Sequence, residues 1–292
     1  MDRTKICSLI LLAVMLADCG KAKKPILVGS KNFTEQVVLG EIIAQHLENR
    51  LHRKIERRLN LGGTLLSYQA LQDGEVSLYP EYTGTIEAEI LKETPSPDPE
   101  QVYERSRLEL LRQAQIEVLK PLGIDNRFVM VVRSDEANRD HLTTLSEAAR
   151  MKPGWKLGVG YEFEQRTDGL PALSMYHLPM SAPPRAMDLG LLYKALDQGQ
   201  VTMIAANATD GPLASPGRTV LEDDKKAFGS YQACIMLRED MIGEEPRLVP
   251  ALNQLSGKFT NAAMRKMDAE VDVDHRQPSE VATEFLKQVG LK

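Results

Sequence analysis

LSYQALQDGEVSLYPEY, residues 66–82, recurs as LLYKALDQGQVTMIAAN, residues 191–207, at a constant spacing of 125 and without a gap. Leu66 falls on Leu191, Tyr68 on Tyr193, Ala70 on Ala195, Leu71 on Leu196, Gly74 on Gly199, Val76 on Val201 and Ser77 on Thr202. Each copy reads as a helix that stops at a glycine and runs into an apolar strand. Two such units in one chain imply two lobes built alike, with the strand ends Tyr82 and Asn207 facing each other. Chance is the competing explanation, because helix–Gly–strand patterns are common.

Working outward, Ile26 to Gly29 reads as a short buried strand, followed by the loop Ser30-Lys31-Asn32-Phe33 and a helix from Thr34 to Leu51. Asn32 with Glu35 three residues on has capping-box spacing, and Thr34 is an equally good cap. Either way, free backbone N–H groups point at this loop, a seat suited to a carboxylate. Further strands are expected at 54–61, 128–133, 156–160 and 231–238, with a turn after Leu78 to Gly84 and a Gly- and polar-rich turn after Gly160. Helices are expected at 100–115, 246–257, 260–270 and 278–289, and Pro95, Pro97 and Pro99 mark an exposed break. Strands alternating with helices predict an α/β fold of mostly parallel sheets. Ligands in such folds sit at the carboxyl ends of strands, here in the cleft between lobes.

The 292 residues suffice for two domains, and 42% hydrophobic with 26% charged residues describes a globular chain. A net charge of −5 offers no footprint for nucleic acid. The basic cluster Arg53, Lys54, Arg57 and Arg58 reads as a solvated surface. At the N-terminus, Arg3 and Lys5 precede the apolar run Ile6 to Ala17, too short to span a bilayer and suited to a signal peptide over 1–18. Leu16-Ala17-Asp18-Cys19 resembles a bacterial lipobox in all but Asp18, so Cys19 is the expected lipid anchor and 19–24 its tether. Cys234 lies in an apolar run and reads as a buried thiol. The histidines His46, His52, His141, His177 and His275 have no metal-ligand spacing, and neither a Gly-x-Ser-x-Gly elbow nor a Walker loop is present. No cofactor, metal or catalytic group is expected; a secreted hydrolase using Glu81, Glu162 or Asp210 stands as the enzyme alternative, although those carboxylates better suit bracing the lobes or pairing with Arg166.

Gly29-Ser30-Lys31-Asn32-Phe33-Thr34-Glu35-Gln36 resembles a segment of the osmoprotectant substrate-binding proteins of ABC importers, those for glycine betaine, choline and carnitine. Leu61-Gly62-Gly63-Thr64, Tyr79 through Thr85, Glu162-Phe163 through Arg166 to Asp168-Gly169, Thr209-Asp210-Gly211 and Leu221 through Lys225 are similar to the same family in the same order. The resemblance implies a two-lobed periplasmic-binding-protein fold of type II with two crossovers, lobe one holding 25–124 and 226–292 and lobe two 125–225. It implies a monomeric extracytoplasmic receptor that closes on a quaternary-ammonium solute and docks on a membrane permease. The family's four cage tyrosines fall on Tyr82, Phe128, Asn207 and Tyr231, so two are kept, one has lost its hydroxyl and one has become an amide. Its carboxylate binders fall on Lys31, Thr85 and Arg166. The altered cage opens the reading of a receptor for a different betaine such as ergothioneine, with Asn207 meeting a heteroaromatic ring; a ligand-sensing domain that reports to a membrane partner without import is a separate alternative. Without the family, Lys31 and Arg166 read as a solvated loop lysine and a surface ion-pair partner of Glu162 or Asp168.

Overall fold

A computed structural model describes residues 24–93, 96 and 98–292. The signal segment 1–18, the Cys19 anchor, all of its tether but Lys24, and Pro95 and Pro97 lie outside the described residues. No helix among the described residues is long and apolar enough to cross a membrane.

The chain opens with β1 (Leu27–Gly29), α1 (Thr34–Leu51), β2 (Glu56–Arg58), α2 (Thr64–Gln72), β3 (Leu78–Tyr82), α3 (Pro99–Ala114) and β4 (Ile116–Val118). It then passes to β5 (Phe128–Arg133), β6 (Leu157–Gly160), β7 (Arg185–Met187), α4 (Leu189–Asp197), β8 (Met203–Asn207) and β9 (Arg218–Leu221). It returns through β10 (Ala233–Arg238) and ends in α5 (Asn261–Asp272) and α6 (Pro278–Gln288). Two sheets result, ordered β2-β1-β3-β10-β4 and β7-β6-β8-β5-β9. In each, a central strand pairs in parallel with two neighbours, and a strand from elsewhere in the chain enters antiparallel beside the third. Helices flank both sheets and the chain crosses between them twice, before β5 and before β10: the architecture is two-lobed, as the sequence implies.

The repeated stretch is the same device in both sheets. Gly74 and Gly199 adopt left-handed φ of 76° and 67°, which releases α2 and α4 at little steric cost. The N–H groups of Glu75 and Gln200 then return to the carbonyls of Ala70 and Ala195 at 2.9 Å. Ser77 and Thr202 each donate a backbone N–H at 2.8 Å, to Leu27 O and Lys156 O, and each accepts on its hydroxyl at 3.0 Å from the N–H of the same partner residue. A hydroxyl at this position stitches the strand to its parallel neighbour, which is why the two copies keep Ser and Thr there.

Local expectations differ from the structure where tertiary contacts dominate. The N-cap of α1 is Phe33, with no side-chain cap, so neither Asn32 nor Thr34 caps the helix; the Glu35 carboxylate is drawn inward instead. After β3 the chain does not turn but winds through Thr83–Thr85 into a π-helical segment, Ile86–Ile90. Gly160 leads into a helical turn, Tyr161–Gln165, in place of an open loop. Tyr231 precedes β10 and is held by its N–H to Asp125 at 2.9 Å. The helix expected at 246–257 is a short helix, Leu248–Leu252, followed by a 3-10 turn.

Candidate functional site

Between the lobes lies a cavity of about 700 Å³, and Lys31, Tyr82, Thr85, Phe128, Arg166, Asn207 and Tyr231 all line it. The parallel strand ends explain this convergence. Tyr82 and Asn207 terminate β3 and β8, Phe128 opens β5 directly opposite Asn207, and Lys31 follows β1. Tyr231 packs with the first lobe's core, and Phe128 touches the cores of both lobes.

The rings stand in two groups, each with a cation over its faces. Phe33 stacks on Tyr82 with centroids 6.4 Å apart, and Lys31 Nζ lies 4.7 Å from the Tyr82 centroid and 5.7 Å from that of Phe33. Phe128 lies 5.6 Å from Tyr231 and meets Phe163 edge-on at 4.9 Å; Arg166 Cζ is 5.5 Å from Phe128 and 5.7 Å from Tyr231. These are cation–π distances, with both cations supplied by the protein's own side chains.

Both cations are matched inside their own lobe. Lys31 is buried and ion-paired with the fully buried Glu81, and donates to Thr64 at 3.5 Å. The solvated-lysine reading is therefore overturned, and Glu81 braces Lys31, not Arg166. Arg166 grips Asp168 through Nε at 2.9 Å and Nη2 at 2.6 Å. Burial alone would pull the guanidinium down, but its bonds to Asp168 and the nearby Tyr231 and Glu162 outweigh that and raise it. Among the described residues its Nη1 meets only Thr85, at 3.4 Å, and Nη2 reaches the Tyr231 hydroxyl at 3.4 Å. The Tyr231 hydroxyl donates to Asp168 across the cleft.

Sequence reasoning missed Asp268 and Asp272, which with Glu35 and Asp210 form an acidic wall that lines the same cavity. Glu35 accepts from the Tyr82 hydroxyl, from the Thr209 hydroxyl of the opposite lobe, and from Asn126 Nδ2 at 3.2 Å. Asn126, on the first crossing, also accepts the Thr209 N–H at 3.3 Å. Burial pushes the Glu35 carboxyl up to about 7 against the bonds that favour its charge. Asp210, which accepts the Tyr193 hydroxyl at 2.9 Å, is pushed by burial to about 6. Burial, with the carboxylates around it, holds Asp268 well above the usual range. One signal for Tyr193 was present: the repeat places it opposite Tyr68. None marked Asp268 or Asp272, which come from a helix near the chain's end.

The wall closes where α5 meets the turn Gly211–Ala214. A Cβ on Gly211 would stand 2.6 Å from Ala269 N and 2.7 Å from Asp268 C. Backbone cannot yield as a side chain can, so Gly211→Ala is expected to hold the lobes apart. Scattering from the variant with ligand should show a larger radius than wild type, with its melting temperature little changed; equal radii would overturn this.

A family model described as the substrate binding domain of ABC-type glycine betaine transport systems, OpuAC, matches residues 24–288. The chain belongs to that family. Among relatives similar to this OpuAC-family chain, the carnitine transport binding protein OpuCC of Listeria monocytogenes is 29% identical over 271 residues, 92% of this chain and 88% of the relative. The ergothioneine transport permease/ergothioneine binding protein EgtU of Helicobacter pylori is also 29% identical over 271 residues, 92% of this chain; the chain spans 48% of that relative's length. A solved structure of a glycine betaine/carnitine/choline ABC transporter superposes with a TM-score of 0.79 at 26% identity, covering 91% of this chain and 99% of that one. The OpuAC family consists of transport binding proteins and is not an enzyme family.

Proposed function

We propose that the protein captures a quaternary-ammonium solute of the glycine betaine, choline or carnitine type between its lobes and delivers it, chemically unchanged, to the membrane permease of an ABC importer. The observation that carries this reading is that the rings of Tyr82, Phe128 and Tyr231 converge on one cavity between the lobes. A trimethylammonium head has no N–H to donate and is best held by such faces. Tyr82, Phe128 and Tyr231 supply them, Asn207 an amide, and a ligand carboxylate meets Arg166 Nη1, Thr85 and the Lys31 loop. Ligand bridging the lobes favours the closed form that a permease would recognise. The lobes move as 25–124 with 226–292 against 125–225, through the paired segments around Asp125 and Gln232. The receptor works as a monomer outside the cytoplasm, its signal removed and Cys19 lipidated. Cys19→Ser is expected to release it from membranes on fractionation; retention would overturn the anchor.

Calorimetric titration with glycine betaine, choline, carnitine and ergothioneine tests the proposal, and silence from all four would overturn it. Ergothioneine belongs in the set because Asn207 puts an amide where a cage ring is lost, and because the Helicobacter relative carries that ligand in its name. Tyr82→Ala or Tyr231→Ala should weaken binding by ~1–3 kcal/mol, from lost ring area and cation–π attraction. Arg166→Ala should harm carboxylate-bearing betaines more than choline; equal losses would contradict its assignment.

A further inference from the structure

We propose that the wall of Glu35, Asp210, Asp268 and Asp272 is a second subsite of the same cavity, taking an N–H-bearing cationic group, so that the preferred solute carries an amine-type group besides its trimethylammonium head. The inference rests on the quaternary-ammonium reading for the first head. Elsewhere in the cavity the buried charges are matched locally, Lys31 with Glu81 and Arg166 with Asp168, while Glu162 and Asp188 are exposed. None of the four wall carboxylates has a cationic partner among the described residues. Two arginines beside Tyr193, the partner of Asp210, are engaged elsewhere: Arg265 with the Ala208 carbonyl at 2.6 Å, and Arg218 with Asp197 at 2.6 Å and the Pro212 carbonyl at 3.0 Å.

Asp268 decides the chemistry. It is 3% exposed, it lines the cavity, and its Oδ1 meets no hydrogen-bond donor among the described residues. A buried carboxylate oxygen left without a donor is costly, and a trimethylammonium head cannot supply one; an ammonium, guanidinium or imidazolium can. The spacing suits a compact ligand. Tyr82 offers its ring to the cage and its hydroxyl to Glu35, so the acidic wall begins one phenol ring from the quaternary site. Tyr193 marks the far side, donating to Asp210. The upward shifts of Glu35, Asp210 and Asp272 fit a wall awaiting a cation.

The test uses matched ligands on the purified protein. Aminoethyl-trimethylammonium is titrated against choline, which differs only in bearing a hydroxyl, and aminobutyl-trimethylammonium against its own hydroxyl counterpart. At least one amine should bind about tenfold more tightly than its partner, as expected for charge-assisted over neutral hydrogen bonds. Asp268→Asn should bring that ratio close to one, and Asp272→Asn should reduce it. Equal affinities within both pairs on the unaltered protein would overturn the subsite and leave the quaternary-ammonium reading standing, even if Asp268→Asn failed to fold. A ratio that survives Asp268→Asn would also overturn it. Silence from all four compounds would instead remove the quaternary-ammonium reading, and the subsite with it.

Discussion

Asp168→Ala is expected to destabilise the protein by on the order of 3 kcal/mol, because it strands a buried guanidinium. Arg166 is 6% exposed and spends Nε and Nη2 on that one carboxylate, while the Tyr231 hydroxyl donates to it from the other lobe. Removing the acceptor leaves Nε without a partner among the described residues and Nη2 with only the long contact to the Tyr231 hydroxyl, at 3.4 Å, while Nη1 keeps Thr85 at 3.4 Å. Urea unfolding of wild type, Asp168→Ala and the double variant Arg166→Met/Asp168→Met separates the causes. The double variant should recover most of the loss, since an apolar pair of similar volume carries no stranded charge. A single variant as stable as wild type would mean that solvent in the cleft already satisfies Arg166.

The acidic wall predicts two pH dependences of opposite sign. Glu35 moves from an ordinary 4.5 to about 7 on folding, and Asp210 from 3.8 to about 6, burial being the main cause for both. A carboxyl raised in this way holds its proton longer in the folded state, so folding is favoured at low pH. The Glu35 contribution is fully present below 4.5 and is lost as pH rises through about 7; that of Asp210 is lost as pH rises from 3.8 through about 6. A rise of this size in Glu35 corresponds to roughly 3 kcal/mol. The ligand-free melting temperature should therefore fall between about pH 5.5 and pH 8, and Glu35→Gln should flatten the slope. Cation capture should strengthen over the same range, because the wall must shed protons to meet positive charge. Thermal melts and titrations at the two ends of the range check both; parallel trends would contradict the account.

The features legible in the sequence were local or repeated. The stretch at 66–82 and its partner at 191–207 placed α2, β3, α4 and β8 because helix stop, glycine and strand are adjacent in the chain. The strand at 128–133 was readable from its unbroken apolar run. The three- and four-residue strands β4, β7 and β9 sit at sheet edges, too short to show a period of two. The ring and basic positions came from family motifs, and the structure gathers all of them around one cavity. Their counter-ions did not come that way: Glu81 reaches Lys31 only because β1 and β3 lie side by side. The acidic wall was hidden further, since α1, the turn after β8 and α5 meet only in the folded chain.

The contacts that latch the two halves are hydrogen bonds: Tyr231 to Asp168, Thr209 and Asn126 to Glu35, Arg166 to Thr85, and Arg265 to the Ala208 carbonyl. Each full ion pair in the cleft is completed on one side of it. Swinging open thus breaks no full ion pair, and its one long-range charge effect is the parting of Asp210 from Glu35 and Asp268, like groups that salt screens. A receptor built this way has no ion pair to sever before it can let go of its cargo, in dilute or in saline medium alike.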